Sequence, residues 1–137
     1  MPLHRGFFDE AGQPRVRVTV HGDLHSLDLE PIVDTGCTEF FAMPAGVARR
    51  LGIRPYGRSN FAMADGSSIS MHTAAGRIEL SASEVCRGVI ILTEDEDALI
   101  GMEFLRVARK ALYVDPSSIV LLDESDSKEL RRKLGPA

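Results

Sequence analysis

The apolar residues of this chain fall into many short segments separated by turn-forming residues, a pattern that leaves few possible folds. Val16, Val18 and Val20 alternate with polar residues, as expected for a half-buried strand. Similar short segments occur at residues 27–33, 40–43, 56–64, 67–73, 77–80, 85–92, 98–101, 112–114 and 119–122. Many short strands predict a mainly β domain, which we expect to be a closed or orthogonally packed β-barrel.

Two segments are instead predicted to be short helices. Residues 44–51 have Pro44 at a first-turn position and Gly52 where a helix would end, and a second short helix is expected at residues 102–108. A chain of 137 residues with 44% hydrophobic and 26% charged residues fits one folded domain, which we place at residues 1–122. Residues 123–137 are predicted to be a charged tail or a frayed helix.

The charge pattern and the lengths of the apolar segments argue against several classes of function. The net charge is −4 and the basic residues form no stripe, so we expect no nucleic-acid partner. No apolar run approaches the roughly 20 residues that cross a bilayer, and the first residues do not resemble a signal peptide. We therefore expect a cytoplasmic protein with no membrane partner.

The cysteines and histidines give no sign of a disulfide framework or of a metal site. Cys37 and Cys86 are too few for a secreted disulfide scaffold, and reduced thiols are expected. The four histidines are scattered in the sequence and are interpreted as surface residues. We expect no bound metal and no cofactor.

The triplet Asp34-Thr35-Gly36 is the strongest candidate for chemistry. It follows the apolar pair Ile32-Val33, which would place a carboxylate at the end of a buried strand. Gly36 allows close approach of backbone N–H groups to that carboxylate, and the Thr35 hydroxyl can both donate and accept a hydrogen bond. Asp, Thr and Gly are also ordinary turn formers, so the triplet needs support from its context.

Two further segments supply that context. Asp65-Gly66 separates two predicted strands and suits a tight hairpin turn, so Ala64, Asp65, Gly66 and Ser67 form a candidate flap. Ala98-Leu99-Ile100-Gly101 is an apolar segment that leads directly into the second predicted helix.

Together these segments resemble the retropepsin-like aspartic proteases, especially their small prokaryotic single-domain branch, over residues 16–122. The resemblance implies catalytic roles for Asp34, Thr35 and Gly36, and a substrate-binding role for the flap residues 64–67. It also implies an endopeptidase that uses two aspartates and one water to hydrolyse peptides or proteins. A further implication is that the segment at 98–101 passes beside the triplet.

The chain contains a single Asp-Thr-Gly triplet, so two catalytic aspartates require a homodimer. By the resemblance, the Thr35 hydroxyls would link the two catalytic loops across the two-fold axis, and the strands at 16–20 and 119–122 would build the interface sheet. The chain departs from the family at Cys37, where relatives have a small or a bulky apolar residue, and in its polar flap.

Two other functions compete with proteolysis. The first is a retropepsin-like dimer that binds peptides with little or no turnover, although such a binder has no need for the intact triplet. The second is a phosphotransfer enzyme, because residues 34–38 are faintly similar to aspartyl-phosphate loops. Those loops carry Lys or a second Asp shortly after the nucleophile, where this chain has Thr35 and Gly36.

Overall fold

The computed structural model describes residues 4–81 and 84–135, which form thirteen strands and three helices. The strands are β1 (His4–Arg5), β2 (Phe7–Phe8), β3 (Pro14–Arg15), β4 (Val18–His21), β5 (Ser26–Leu29), β6 (Ile32–Val33), β7 (Phe41–Pro44), β8 (Gly57–Ala62), β9 (Ser68–Ser81), β10 (Glu84–Thr93), β11 (Leu99–Ile100), β12 (Ala111–Asp115) and β13 (Ser118–Leu122). The helices are α1 (Ala45–Leu51), α2 (Met102–Ala108) and α3 (Glu124–Leu134). The prediction of a mainly β domain with few, short helices is confirmed.

Ten strands form one curled sheet, in the order β2-β3-β6-β11-β7-β10-β9-β4-β5 with β8 paired to β9. A second sheet has the order β1-β13-β12. Strands β4 and β13 therefore have a neighbour on each side within their own chain. Neither strand has a free edge, and the edges of the smaller sheet are β1 and β12. The expectation that the segments at 16–20 and 119–122 build the interface sheet of a dimer stays a prediction.

The core lies on the inner face of the large sheet and follows the alternation seen in the sequence. Val16, Val18 and Val20 are fully or almost fully buried, and they join Phe41 and Phe104 in one hydrophobic cluster. These buried side chains hold the sheet against α2, since burial of each large apolar side chain contributes about 1.5–3 kcal/mol.

Strand β9 is longer than the sequence suggested. The predicted strands at 67–73 and 77–80 are one strand of 14 residues, because Ala74, Ala75 and Gly76 between them continue the pairing with β10. A Cβ atom at Gly76 would lie 2.1 Å from the Ile90 side chain, so a glycine is needed for this close packing.

The helix ends follow local sequence chemistry. Pro44 precedes α1, and Gly52 ends it with a left-handed φ of 83°. Helix α3 begins after Asp123, whose carboxylate accepts a hydrogen bond from the Asp126 N–H at 3.2 Å. The segment at 123–137, predicted to be a charged tail or a frayed helix, is thus helical over Glu124–Leu134, while the domain boundary at residue 122 stays a prediction. No helix in the described part of the chain is long and apolar enough to span a membrane.

An ion pair near the N-terminus gives a testable pH dependence. Arg15 Nε lies 2.6 Å from Asp9 Oδ2, and this hydrogen bond lowers the pKa of Asp9 below its usual value. A carboxyl group with a lowered folded-state pKa adds stability above its unfolded-state pKa, and loses it as the pH falls through the folded-state value. We expect the melting temperature to fall as the pH drops below about 4, and to fall less steeply in Asp9→Asn. Thermal unfolding followed by circular dichroism checks this; equal slopes for both proteins would contradict it.

Candidate active site

Asp34 is the first residue after β6, and two neighbouring strands fix its backbone. Strand β6 lies between β3 and β11, and it runs parallel to β11. The N–H of Ile32 donates to the carbonyl oxygen of Ala98, and the N–H of Asp34 donates to that of Ile100, both at 2.9 Å. The carboxylate therefore leaves the sheet at the end of a strand whose position is set on both sides.

The backbone beyond Asp34 turns back onto its carboxylate. The N–H of Gly36 donates to Asp34 Oδ1 at 2.9 Å, and the N–H of Cys37 donates to the Asp34 carbonyl oxygen at 3.1 Å. The first hydrogen bond limits rotation of the carboxylate. Asp34 is half-buried, whereas Thr35 and Gly36 are exposed, so the triplet lies at the surface of this single chain.

The segment at 98–101 and the start of α2 hold the loop at residues 34–39, which we call the Asp34 loop. Gly101 N–H donates to Phe40 O at 3.1 Å, Met102 N–H to Cys37 O at 2.8 Å, and Glu103 N–H to Glu39 O at 3.3 Å. A Cβ atom at position 101 would lie 1.9 Å from Glu39 O, so glycine is required for this approach. The resemblance implied that this segment passes beside the triplet, and the structure places it there.

Sequence reasoning missed the aromatic support below the Asp34 loop. Phe40 directly follows the loop and is 3% exposed, and its ring centroid lies 5.3 Å from that of Phe104 on α2. A Cβ atom at Gly88 would lie 2.5 Å from the Phe40 ring, so β10 also contacts it closely. The signal in the sequence is the adjacent pair Phe40 and Phe41 after the triplet, which the strand pattern predicts only as part of an apolar segment at 40–43.

Cys37 departs from the family pattern without disturbing the loop. Its side chain is half-buried, and burial, together with the negative charge of Asp34, raises the pKa of the thiol. A thiol with a raised pKa stays protonated at neutral pH and is a weak nucleophile. The raised pKa therefore argues against Cys37 as a nucleophile at neutral pH, and Asp34 stays the candidate catalytic residue of the loop.

The predicted hairpin around Asp65-Gly66 is present and projects from the sheet. Strands β8 and β9 pair from Gly57↔Thr73 to Ala62↔Ser68, and Gly66 has a left-handed φ of 88°. The tip is a three-residue loop in which the Met63 N–H donates to the Ser67 carbonyl oxygen at 2.8 Å and the Gly66 N–H donates to the Met63 carbonyl oxygen at 3.0 Å, a common hairpin geometry. Residues 64–67 are all exposed. Within the described residues no hydrogen bond joins this tip to the triplet, so the substrate-binding role of the flap stays a prediction.

Two cavities among the described residues lie away from the triplet. One of about 490 Å³ is lined by residues of β4, β9 and β10 and by the segment after α1, and another of about 430 Å³ lies beside α1. Neither is lined by residues 34–36, so the candidate site rests on the geometry of the Asp34 loop. No group of His, Cys, Asp and Glu side chains in the described residues is arranged to hold a metal ion.

A curled, mainly β fold with an Asp-Thr-Gly loop held by a second apolar segment ending in Gly defines the retropepsin-like class. A family model described as "gag-polyprotein putative aspartyl protease" matches residues 17–107. Since the match covers more than half of the chain, the protein belongs to this aspartyl protease family. No curated protein sequence matches the chain.

A solved structure with the same fold is the crystal structure of a retropepsin-like aspartic protease from Rickettsia conorii. It matches with a TM-score of 0.62 and 15% sequence identity, over 88% of this chain and 91% of that chain. At this low identity the similarity defines the fold, and the predicted retropepsin-type fold is confirmed.

Proposed function

We propose that this chain is an aspartic endopeptidase that hydrolyses peptide bonds as a homodimer, with one Asp34 from each copy. The observation that carries the proposal is the geometry of Asp34, whose carboxylate stands at a strand end and accepts the Gly36 N–H at 2.9 Å. A hydrogen bond from a fixed backbone group orients the carboxylate before substrate binds, as catalysis by a positioned acid or base requires.

The two Asp34 side chains would have different roles in the hydrolysis of one peptide bond. One ionised Asp34 accepts a proton from the water while the other, protonated, donates a hydrogen bond to the scissile carbonyl oxygen. The water oxygen bonds to the carbonyl carbon, and the C–N bond then breaks as a proton passes to the amine. Two negative charges this close repel each other, which favours the arrangement with one ionised and one protonated carboxyl group that this division of roles requires.

The surface position of the triplet supports a site completed by a second copy. Thr35 and Gly36 are exposed in the single chain, although a catalytic centre generally excludes water. Covering them with the same loop of another copy would bring two Asp34 side chains together on a two-fold axis.

Cys37 and Cys86 are both free thiols, which supports the cytoplasm as the location of the protein.

The hairpin supports a role in holding a peptide. Its tip is polar, but Met63 and Ile69 flank the tip and are 47% and 44% exposed. Exposed apolar side chains on a two-stranded projection offer a surface that could cover the side chains of an extended peptide. We infer that residues 64–67 contribute backbone contacts to the substrate while Met63 and Ile69 contribute apolar contacts.

A subunit-mixing experiment tests the shared pair of aspartates. If Asp34→Asn subunits exchange freely with wild-type subunits, a ninefold excess of the variant should leave only about one tenth of the wild-type subunits in fully wild-type dimers. Cleavage of a fluorogenic peptide should then fall to about a tenth of the activity of the same amount of wild-type protein measured alone.

The control for this mixture is a ninefold excess of Asp95→Asn, which removes a carboxylate from the loop before β11. This mixture should be no less active than the wild type alone, because Asp95 lies outside the proposed site. If excess Asp34→Asn leaves the wild-type activity unchanged after complete subunit exchange, each chain acts independently and the shared-pair model is wrong.

A further inference from the structure

A group of basic and aromatic side chains lines the cavity of about 490 Å³, apart from the Asp34 loop. This cavity is formed by the turn after β4, the segment that follows α1, and the middle of β9 and β10. Three arginines, Arg54, Arg77 and Arg87, line it together with His21 and Tyr56. All three arginines are exposed, so their guanidinium groups are accessible to a ligand. We call it the arginine cavity.

The pairing of the strands places basic residues side by side. Arg77 of β9 is the cross-strand partner of Arg87 of β10, and on its other side it is the partner of His21 of β4. Residues directly opposite in an antiparallel pair point to the same face with Cβ atoms about 5 Å apart, and like charges there are destabilising. A fold that keeps Arg77 beside Arg87 carries a cost that a bound anion would remove.

Few acidic groups are available to neutralise these arginines. None of Arg54, Arg77 and Arg87 forms an ion pair with any residue in the described ranges 4–81 and 84–135. Glu79 is near, but its Oε1 lies 2.9 Å from His21 Nε2. Asp23 is the acidic residue that lines the cavity, so three arginines and one aspartate leave an excess of two positive charges. This excess is local, since the whole chain has a net charge of −4.

We propose that the arginine cavity binds a phosphate-bearing small molecule. A guanidinium group presents parallel N–H donors that match two phosphate oxygens, and three such groups suit an anion with more than one negative charge. The volume of about 490 Å³ is in the range of small-molecule sites. The exposed ring of Tyr56 provides an apolar wall beside the charged groups. This proposal does not depend on the proteolytic activity.

The location of the cavity gives the binding experiment a position-specific readout. Tyr56 immediately precedes β8, and its N–H donates to the Thr73 carbonyl oxygen at 2.9 Å. The cavity therefore lies at the base of the β8–β9 hairpin. Amide signals of Tyr56, Arg77 and Arg87 in ¹⁵N–¹H spectra should shift during titration with a ligand, while those of the Asp34 loop should not.

Titration with pyrophosphate, at an ionic strength held constant with sodium chloride, tests the proposal. We expect saturable binding with a dissociation constant below about 1 mM. Arg77→Gln and Arg87→Gln should each raise this constant by about tenfold or more, because each removes charge-assisted hydrogen bonds. The control is Arg50→Gln, which makes the same charge change on the exposed surface of α1 and should alter the constant by less than about twofold.

Thermal unfolding supplies a second test, because the difference in melting temperature between Arg77→Gln and the wild type should change when pyrophosphate is added. Without pyrophosphate, Arg77→Gln should unfold at the same temperature as the wild type or higher, because the repulsion with Arg87 is reduced. With pyrophosphate, the wild type should gain stability by mass action while Arg77→Gln gains much less.

Several results would overturn the proposal. These are the absence of saturable binding, an equal loss of affinity in Arg50→Gln, and equal stabilisation by sodium chloride alone at the same ionic strength. A phosphoserine peptide that binds more tightly than pyrophosphate would also overturn it, because the ligand would then be a phosphorylated protein and not a small molecule.

Discussion

Replacing Asp34 with Asn is expected to lower peptidase turnover by about 10³-fold or more, since it removes both the general base and the general acid of the proposed pair. The fold should survive the change. Asn keeps a side-chain oxygen in the position of Oδ1, which can still accept the Gly36 N–H that Asp34 accepts at 2.9 Å. The free energy of unfolding should therefore change by less than about 0.5 kcal/mol.

The measurement is cleavage of a diverse peptide library, analysed by mass spectrometry for the wild type and Asp34→Asn between about pH 4 and 7, where a coupled aspartate pair should work. The matched control is Asp95→Asn, which should cut the same bonds as the wild type. Cuts that persist in Asp34→Asn would move catalysis to another residue. No cuts by the wild type, in a sample that is dimeric and binds peptides, would favour the peptide-binding module instead.

The parts of the site that local chemistry determines could be predicted from the sequence. A strand ends at Val33 because Asp34-Thr35-Gly36 are turn formers, and a hairpin turns at Gly66 because only glycine adopts its φ of 88° easily. Helix α1 ends at Gly52 for the same reason. These features need only a few neighbouring residues, so a single sequence is sufficient to place them.

The features that depend on distant contacts could not be predicted in the same way. The pairing of β6 with β11 joins Ile32 to Leu99, and nothing in either short segment specifies its partner or the parallel direction. That Gly101 is packed against Glu39 is visible only once this pairing is known. The family resemblance predicted that the segment at 98–101 lies beside the triplet. Nothing in the sequence pattern predicted that Arg77 and Arg87 are cross-strand partners.

Gly101→Ala is expected to disrupt the Asp34 loop and to destabilise the whole domain. The backbone at Gly101 is extended, with φ of −98°, a conformation that alanine adopts without strain. Its Cβ, however, would lie 1.9 Å from Glu39 O and 2.9 Å from Cys37 O. Both are backbone atoms, which cannot rotate away as a flexible side chain can, so the Asp34 loop must shift.

The shift should strain the hydrogen bonds that the Gly101 N–H donates to Phe40 O and that the Met102 N–H donates to Cys37 O. Overpacking typically costs 1–3 kcal/mol and each lost hydrogen bond about 1 kcal/mol, so we expect a loss of about 3 kcal/mol in unfolding free energy. For a domain of this size the melting temperature should fall by roughly 10 °C. Turnover should be lost even at temperatures where the variant is folded, because the carboxylate orientation depends on the loop backbone.

The matched control is Gly46→Ala in α1. A Cβ atom there would meet no atom within 4 Å, and alanine has a higher helix propensity than glycine. This variant should gain about 0.5–1 kcal/mol and keep full activity. Urea unfolding and peptide cleavage of both variants, measured together, separate the two sites. Wild-type stability and turnover in Gly101→Ala would mean that the 98–101 segment does not hold the Asp34 loop, and that the orientation of Asp34 is set by β6 and Gly36 alone.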